Sequence, residues 1–130
     1  MLATVERELL TPMGLRTLSP RDPAYRGRYE GGPWQRDGAY HQGSAWPWLV
    51  GPFVDAWLAV RGDSAEERAA VHARSLAPLV EHLGQAGLGH VSEIADGDAP
   101  HQPRGCPFQA WSLGEALRLD LEVLADASPE

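Results

Sequence analysis

Apolar positions recur with a helical period in three places along the chain. Over residues 45–60 they fall at Trp46, Leu49, Val50, Phe53, Val54, Trp57 and Leu58, one broad stripe that predicts a helix. Pro47 suits its first turn, whereas Pro52 is expected to kink the helix or divide it near Gly51. Ser64 followed by Glu67 reads as a capping box opening a second helix, which runs to about Leu83 with a second kink expected at Pro78. A third helix is predicted from about Phe108 to Leu124, with Leu113, Leu117, Leu121 and Leu124 on one face. Residues 2–10 read as the end of a helix stopped by Thr11-Pro12.

Between these segments the period is lost. Met13 to Gly38 is rich in Gly, Pro and Arg and reads as irregular, except that Leu15-Arg16-Thr17-Leu18 could be a short extended piece before Ser19-Pro20. So long an irregular stretch is usually functional or packed against something larger. No alternating run of strand length is evident. The expected architecture is therefore all-α, built of helical hairpins with long irregular loops, as one segment over 1–130 with a frayed tail at 125–130. Broad Trp- and Leu-bearing faces on three helices call for cover, from more helices or from another copy.

Composition narrows the class. The chain has 130 residues, enough for one core, and all eleven basic residues are arginine against a formal charge of -7. An acidic chain without a basic run is poorly suited to nucleic acid or an anionic membrane surface. The single Cys106 excludes an internal disulfide, and the charged N-terminus is unlike a signal peptide, so the cytoplasm is the expected compartment. No motif for a cofactor or metal is present.

The chemistry concentrates in residues 91–106. Glu93, Asp96, Asp98, His101 and Arg104 stand there among Gly97, Pro100, Pro103 and Gly105. Proline fixes φ and glycine opens conformations closed to other residues, so this loop is expected to hold a shape and present charge from it. The first long helix is preceded by Tyr40-His41-Gln42-Gly43-Ser44-Ala45-Trp46-Pro47-Trp48, and the last by Arg104-Gly105-Cys106-Pro107-Phe108-Gln109-Ala110-Trp111. If those helices are parallel neighbours, both starts and Glu93 share one rim. Aromatic faces beside planar amide and guanidinium groups suit a sugar ring, with its apolar C–H faces and its rim of hydroxyls. Glu93 is the candidate for proton work.

Other readings stand beside these. Trp57 belongs in the core, while Trp46, Trp48 and Trp111 fit core or cleft equally. His72 and His82 read as solvated or packed helix residues. Asp96-Gly97-Asp98 is a turn or the start of a calcium loop, but the further spaced ligands and closing Glu of such a loop are missing. Cys106 near His101 lacks a third orienting group for nucleophilic work.

Four runs together, Leu10 to Ser19, Tyr40 to Trp48, Ser92 to Asp98, and Pro103 to Cys106 with Gln109-Ala110-Trp111-Ser112, closely resemble the C-terminal glucosidase domain of glycogen debranching enzymes. The resemblance covers about residues 8 to 118. It implies part of an (α/α)6 toroid and an inverting hydrolysis of α-1,6-linked glucose at the branch points of glycogen or limit dextrin. By the resemblance Glu93 is the general base. His41, Gln42, Trp46, Trp48, His101, Arg104, Gln109 and Trp111 are the candidates for binding the glucan. Ala95 departs from the family pattern, where a larger residue is expected. A toroid needs far more chain, and the general acid it requires matches no segment here. The expectation is thus the C-terminal part of such an enzyme, inactive alone, docked on a missing N-terminal part or forming a homo-oligomer. The other reading is a non-catalytic helical module for glucan binding or assembly.

Overall fold

The computed structural model describes residues 1–86 and 88–125. Five helical stretches carry most of the ordered chain among these residues. They are α1 (Leu2–Glu8), α2 (Pro33–His41), α3 (Val50–Arg61), α4 (65–82) and α5 (110–123). The period-based predictions of α3, α4 and α5 correspond to real helices because their stripes meet one another. Val50, Phe53, Val54 and Trp57 from α3 pack with Val71, Leu76 and Leu79 from α4 and with Leu119 from α5, all buried.

The three prolines of the long helices lie at or close to the start of a helical turn. Pro47 opens a single 3-10 turn, Pro47–Leu49, which passes into α3 so that Pro52 falls within the first α-helical turn and breaks nothing. In α4 a π-helical turn, His72–Leu76, stands just before Pro78, near which the sequence predicts a kink. Ser64 caps α4 by accepting the Glu67 amide at 3.2 Å. The Glu67 side chain does not close the box; it accepts the Trp57 indole N–H at 2.7 Å, while Arg61 lies over the Trp57 ring 3.7 Å from its centroid. A buried indole needs a partner for its N–H, and α4 supplies one.

The all-α expectation is overturned. Five short strands, β1 (Leu10–Thr11), β2 (Gly14–Arg16), β3 (Ala45–Trp46), β4 (Ile94–Ala95) and β5 (Pro103–Arg104), form one antiparallel sheet in the order β1-β2-β3-β4-β5. Leu15 pairs with both Leu10 and Trp46, Ala45 with Ala95, and Ile94 with Arg104. Strands of two or three residues are too short for a period of two to register in sequence. Their pairing also joins segments many residues apart. Within the stretch from Met13 to Gly38 the extended piece expected at Leu15 to Leu18 corresponds to β2, and the irregular remainder is corrected by the start of α2, where Gly32 precedes Pro33 at the first helical position. The tail expected to fray lies, beyond Ala125, outside the described residues.

This sheet carries the rim. The chain leaves β3 through the 3-10 turn Pro47–Leu49 into α3, and the β4–β5 hairpin leads into α5. The two helix starts are therefore neighbours, with Trp48 and Trp111 stacked at 5.4 Å between ring centroids.

A candidate active site around Glu93

Glu93 immediately precedes β4, and Cys106 follows β5, so the two face each other across the hairpin base. The Glu93 amide donates to the Cys106 carbonyl at 2.8 Å, and the Cys106 amide donates to Glu93 Oε2 at 2.9 Å. Gly105, between them, has φ +68, and a Cβ there would lie 2.5 Å from Glu93 Oε2. The turn thus requires glycine both for its backbone and for the carboxylate that leans on it. On the other side the Tyr40 hydroxyl, from the last turn of α2, donates to Glu93 Oε1 at 2.5 Å. Among the described residues each carboxylate oxygen accepts from one donor, Oε1 from α2 and Oε2 from the turn after β5.

The rest of the hairpin is held by a buried acid. Asp96 is fully buried and accepts from the Tyr29 amide at 2.8 Å and from Arg104 Nη2 and Nε at 3.0 and 3.2 Å. A carboxylate out of water requires this kind of saturation. The same contact raises the Arg104 pKa above its ordinary value. Asp98 accepts from the Tyr25 hydroxyl at 3.0 Å, and Arg16 donates to the Gly97 carbonyl at 2.8 Å. These bonds bring residues 16–30 onto the hairpin and close one side of a cleft.

Two adjoining cavities of about 400 and 710 Å³ make up the cleft, and both are lined by Tyr29, Arg36 and Glu93. The first also holds Pro33, Asp37 and Tyr40; the second holds Glu30, Arg104, Gly105 and Cys106. The walls are polar and carry both signs of charge. Burial, then the bond to Glu93, pushes the Tyr40 hydroxyl up to about 12, so it stays a donor through the neutral range.

Of the residues singled out in the sequence, Glu93 and Arg104 line this cleft. The others are not among its lining residues. Trp46 is 8% exposed, and its indole donates to the Tyr40 carbonyl at 3.2 Å. His41 is exposed at the end of α2, its ring edge-on to Tyr40 at 5.0 Å, and exposed Gln42 follows as the helix cap. His101, with φ +59, turns its Nδ1 to the Asp96 carbonyl at 3.1 Å. Gln109 caps α5, its amide bonded to the Val91 carbonyl at 3.1 Å. Trp48 is half-buried against Trp111, which is half exposed. Among the described residues no three His, Cys, Asp or Glu side chains gather to hold a metal.

Sequence reasoning missed the α2 wall. Pro33, Arg36, Asp37 and Tyr40 follow the i, i+3, i+4, i+7 spacing of one helix face, but the face is polar and follows two glycines, so the apolar period gave no sign of it.

An oriented carboxylate on a polar cleft, carried by a small sheet against a helical core, accords with a carbohydrate-acting domain. The chain belongs to the amylo-alpha-1,6-glucosidase family, whose model matches residues 1–118. It is 43% identical over 137 aligned positions to the glycogen debranching enzyme of Saccharomyces cerevisiae; the match takes in 91% of this chain and 9% of that protein's length. Among the described residues no helix is long and apolar enough to cross a membrane.

Proposed function

We propose that this chain is the base-bearing portion of a debranching α-1,6-glucosidase, acting on glycogen or a limit dextrin. The observation that carries the reading is the Glu93 carboxylate, fixed by two donors at the edge of a polar cleft. An inverting hydrolase needs one carboxylate to take a proton from the attacking water and a carboxylic acid about 6.5–9.5 Å away to protonate the leaving oxygen. Glu93 fills the first role. The second is supplied by a segment of the debranching protein outside these residues, which together with this chain completes the toroid. Arg104 and Arg36 offer donors to sugar hydroxyls. His41, Gln42, Trp48, His101, Gln109 and Trp111 are the further candidates for contact with a branched glucan extending beyond the cleft, and a cytoplasmic setting suits both that substrate and the lone thiol.

A second reading, an assembly module, is favoured by apolar surface. Val60, Phe108, Leu117 and Leu121 are each at least half exposed, and a groove of about 420 Å³ lined by Leu2, Val5, Leu49, Pro52 and Phe53 is open to solvent. The two readings are compatible if that surface docks on the remainder of the enzyme or on a second copy. The deciding experiment is glucose release from a limit dextrin, by the purified chain and by the complete debranching polypeptide with and without Glu93→Gln. The reading expects activity only in the complete wild-type protein; undiminished release by the Glu93→Gln polypeptide would overturn it.

A further inference from the structure

We propose that Tyr40 is the positioning residue for Glu93, and that Trp46 serves the site by holding Tyr40 in place. This rests on Glu93 being the base. A glutamate is a poor base if its carboxylate spins, because the lone pair must be aimed at the proton of the attacking water. Here the carboxylate plane is set from two directions. The Tyr40 hydroxyl meets Oε1 at 2.5 Å, and the Cys106 amide meets Oε2 at 2.9 Å. An O–H···O bond of that length is among the shorter ones a hydroxyl makes to a carboxylate. Each oxygen retains a further lone pair for the cleft. The clamp therefore orients the base without consuming it.

Tyr40 is fixed in turn. Its ring lies edge-on to Trp46 with centroids 4.6 Å apart, and the Trp46 indole N–H bonds the Tyr40 carbonyl at 3.2 Å. Tyr29 covers it at 6.0 Å. Trp46 belongs to β3, whose other residue, Ala45, pairs with Ala95 of β4 next to Glu93. The donor and the acid are thus registered through one sheet. Because Trp46 is buried, little of its ring is left to stack on a sugar. With the Tyr40 hydroxyl pushed up to about 12, it keeps its proton through the neutral range and so remains a donor to Glu93.

The test has a spectroscopic arm and a kinetic arm. In proton NMR of the purified chain, the Tyr40 hydroxyl should give a downfield resonance, lost in Tyr40→Phe and moved upfield in Glu93→Gln. The Glu93→Gln spectrum keeps this arm readable should Tyr40→Phe fail to fold. In the limit-dextrin assay of the complete polypeptide, Tyr40→Phe should lower kcat roughly 10–100-fold with KM within about twofold, since misaiming a catalytic group costs rate before affinity. Trp46→Phe, which keeps a ring but loses the N–H, should lower kcat by a smaller factor in the same direction. Absence of the resonance in the wild-type chain, or a Tyr40→Phe enzyme with normal kcat beside an inactive Glu93→Gln enzyme, would overturn the positioning role alone. A fully active Glu93→Gln enzyme would overturn the base assignment beneath it.

Discussion

The Tyr40 hydroxyl lies 2.5 Å from Glu93 Oε1, although 53 positions separate the two in the chain. One residue ends a short helix in a glycine-rich stretch, and the other precedes a two-residue strand. Their contact depends on β3 and β4 pairing through Ala45 and Ala95, and on the hydrogen bonds that draw residues 16–30 onto the hairpin. The site is thus a product of the sheet, and its sensitivity to mutation should follow the sheet's contacts.

Glu93→Gln keeps the shape of the side chain and removes the proton acceptor. Turnover of the complete debranching polypeptide should fall roughly 10²–10⁴-fold while glucan affinity is retained. Steady-state kinetics beside a dextrin-binding isotherm checks both halves. Loss of binding with normal turnover of bound glucan would mean that Glu93 is a ligand and not the base.

Gly105→Ala should separate the site from the fold. The added Cβ meets Glu93 Oε2 at 2.5 Å on a backbone with φ +68, so the carboxylate must move and the turn is strained by about 1–2 kcal/mol. Turnover should drop at least as far as in Tyr40→Phe, with a modest fall in the urea midpoint. An alanine enzyme with full turnover would show that the carboxylate tolerates displacement.

Asp96→Asn tests the buried hub. Asparagine would point an N–H₂ group at donors from Tyr29 or Arg104, leaving one of them unpaired beside a side chain that is itself fully buried. Because the Arg104 side chain is 35% exposed, its share of the loss is softened by solvent. The expected cost is about 2 kcal/mol, read from chemical denaturation. A neutral substitution would place the hairpin's stability elsewhere.

His82 should make the fold pH-dependent. It is fully buried on α4, Nε2 lies 3.4 Å from the Ser92 amide that donates to it, and burial lowers its pKa below the ordinary value. The unfolded chain takes up the proton first, at a pH near ~6.5, so stability is whole above that value and is lost as pH falls below it. The midpoint of urea unfolding should decline from pH 7.5 to 5.5 in the wild type and decline less in His82→Gln. Equal slopes would acquit His82. Because Ser92 adjoins Glu93, the same protonation should loosen the base-bearing segment first, visible as faster amide exchange there.

The apolar surface predicts association. With Val60 and Leu121 nearly seventy percent exposed, the isolated chain should bind a hydrophobic dye or sediment as an oligomer. A monodisperse, dye-silent monomer would show that this surface is content in water.

The sequence alone determined the three long helices and the capping serine, and it singled out the loop that carries Glu93. Those features are local: a helix writes its buried face at a fixed spacing, a cap lies three residues from its partner, and a loop crowded with charge and proline is visible as such. The family too was legible, because four motifs recur in order along the chain. What the tertiary structure decided was pairing. Five strands of two or three residues carry no period of their own and exist only because distant segments meet. Asp96 reads as a surface turn until Arg104 and the Tyr29 amide close over it. Tyr40 reads as one more aromatic before a helix until the sheet brings it to Glu93. A hydrogen bond needs its partner within about 3 Å, and no spacing along the chain specifies that distance once dozens of residues intervene.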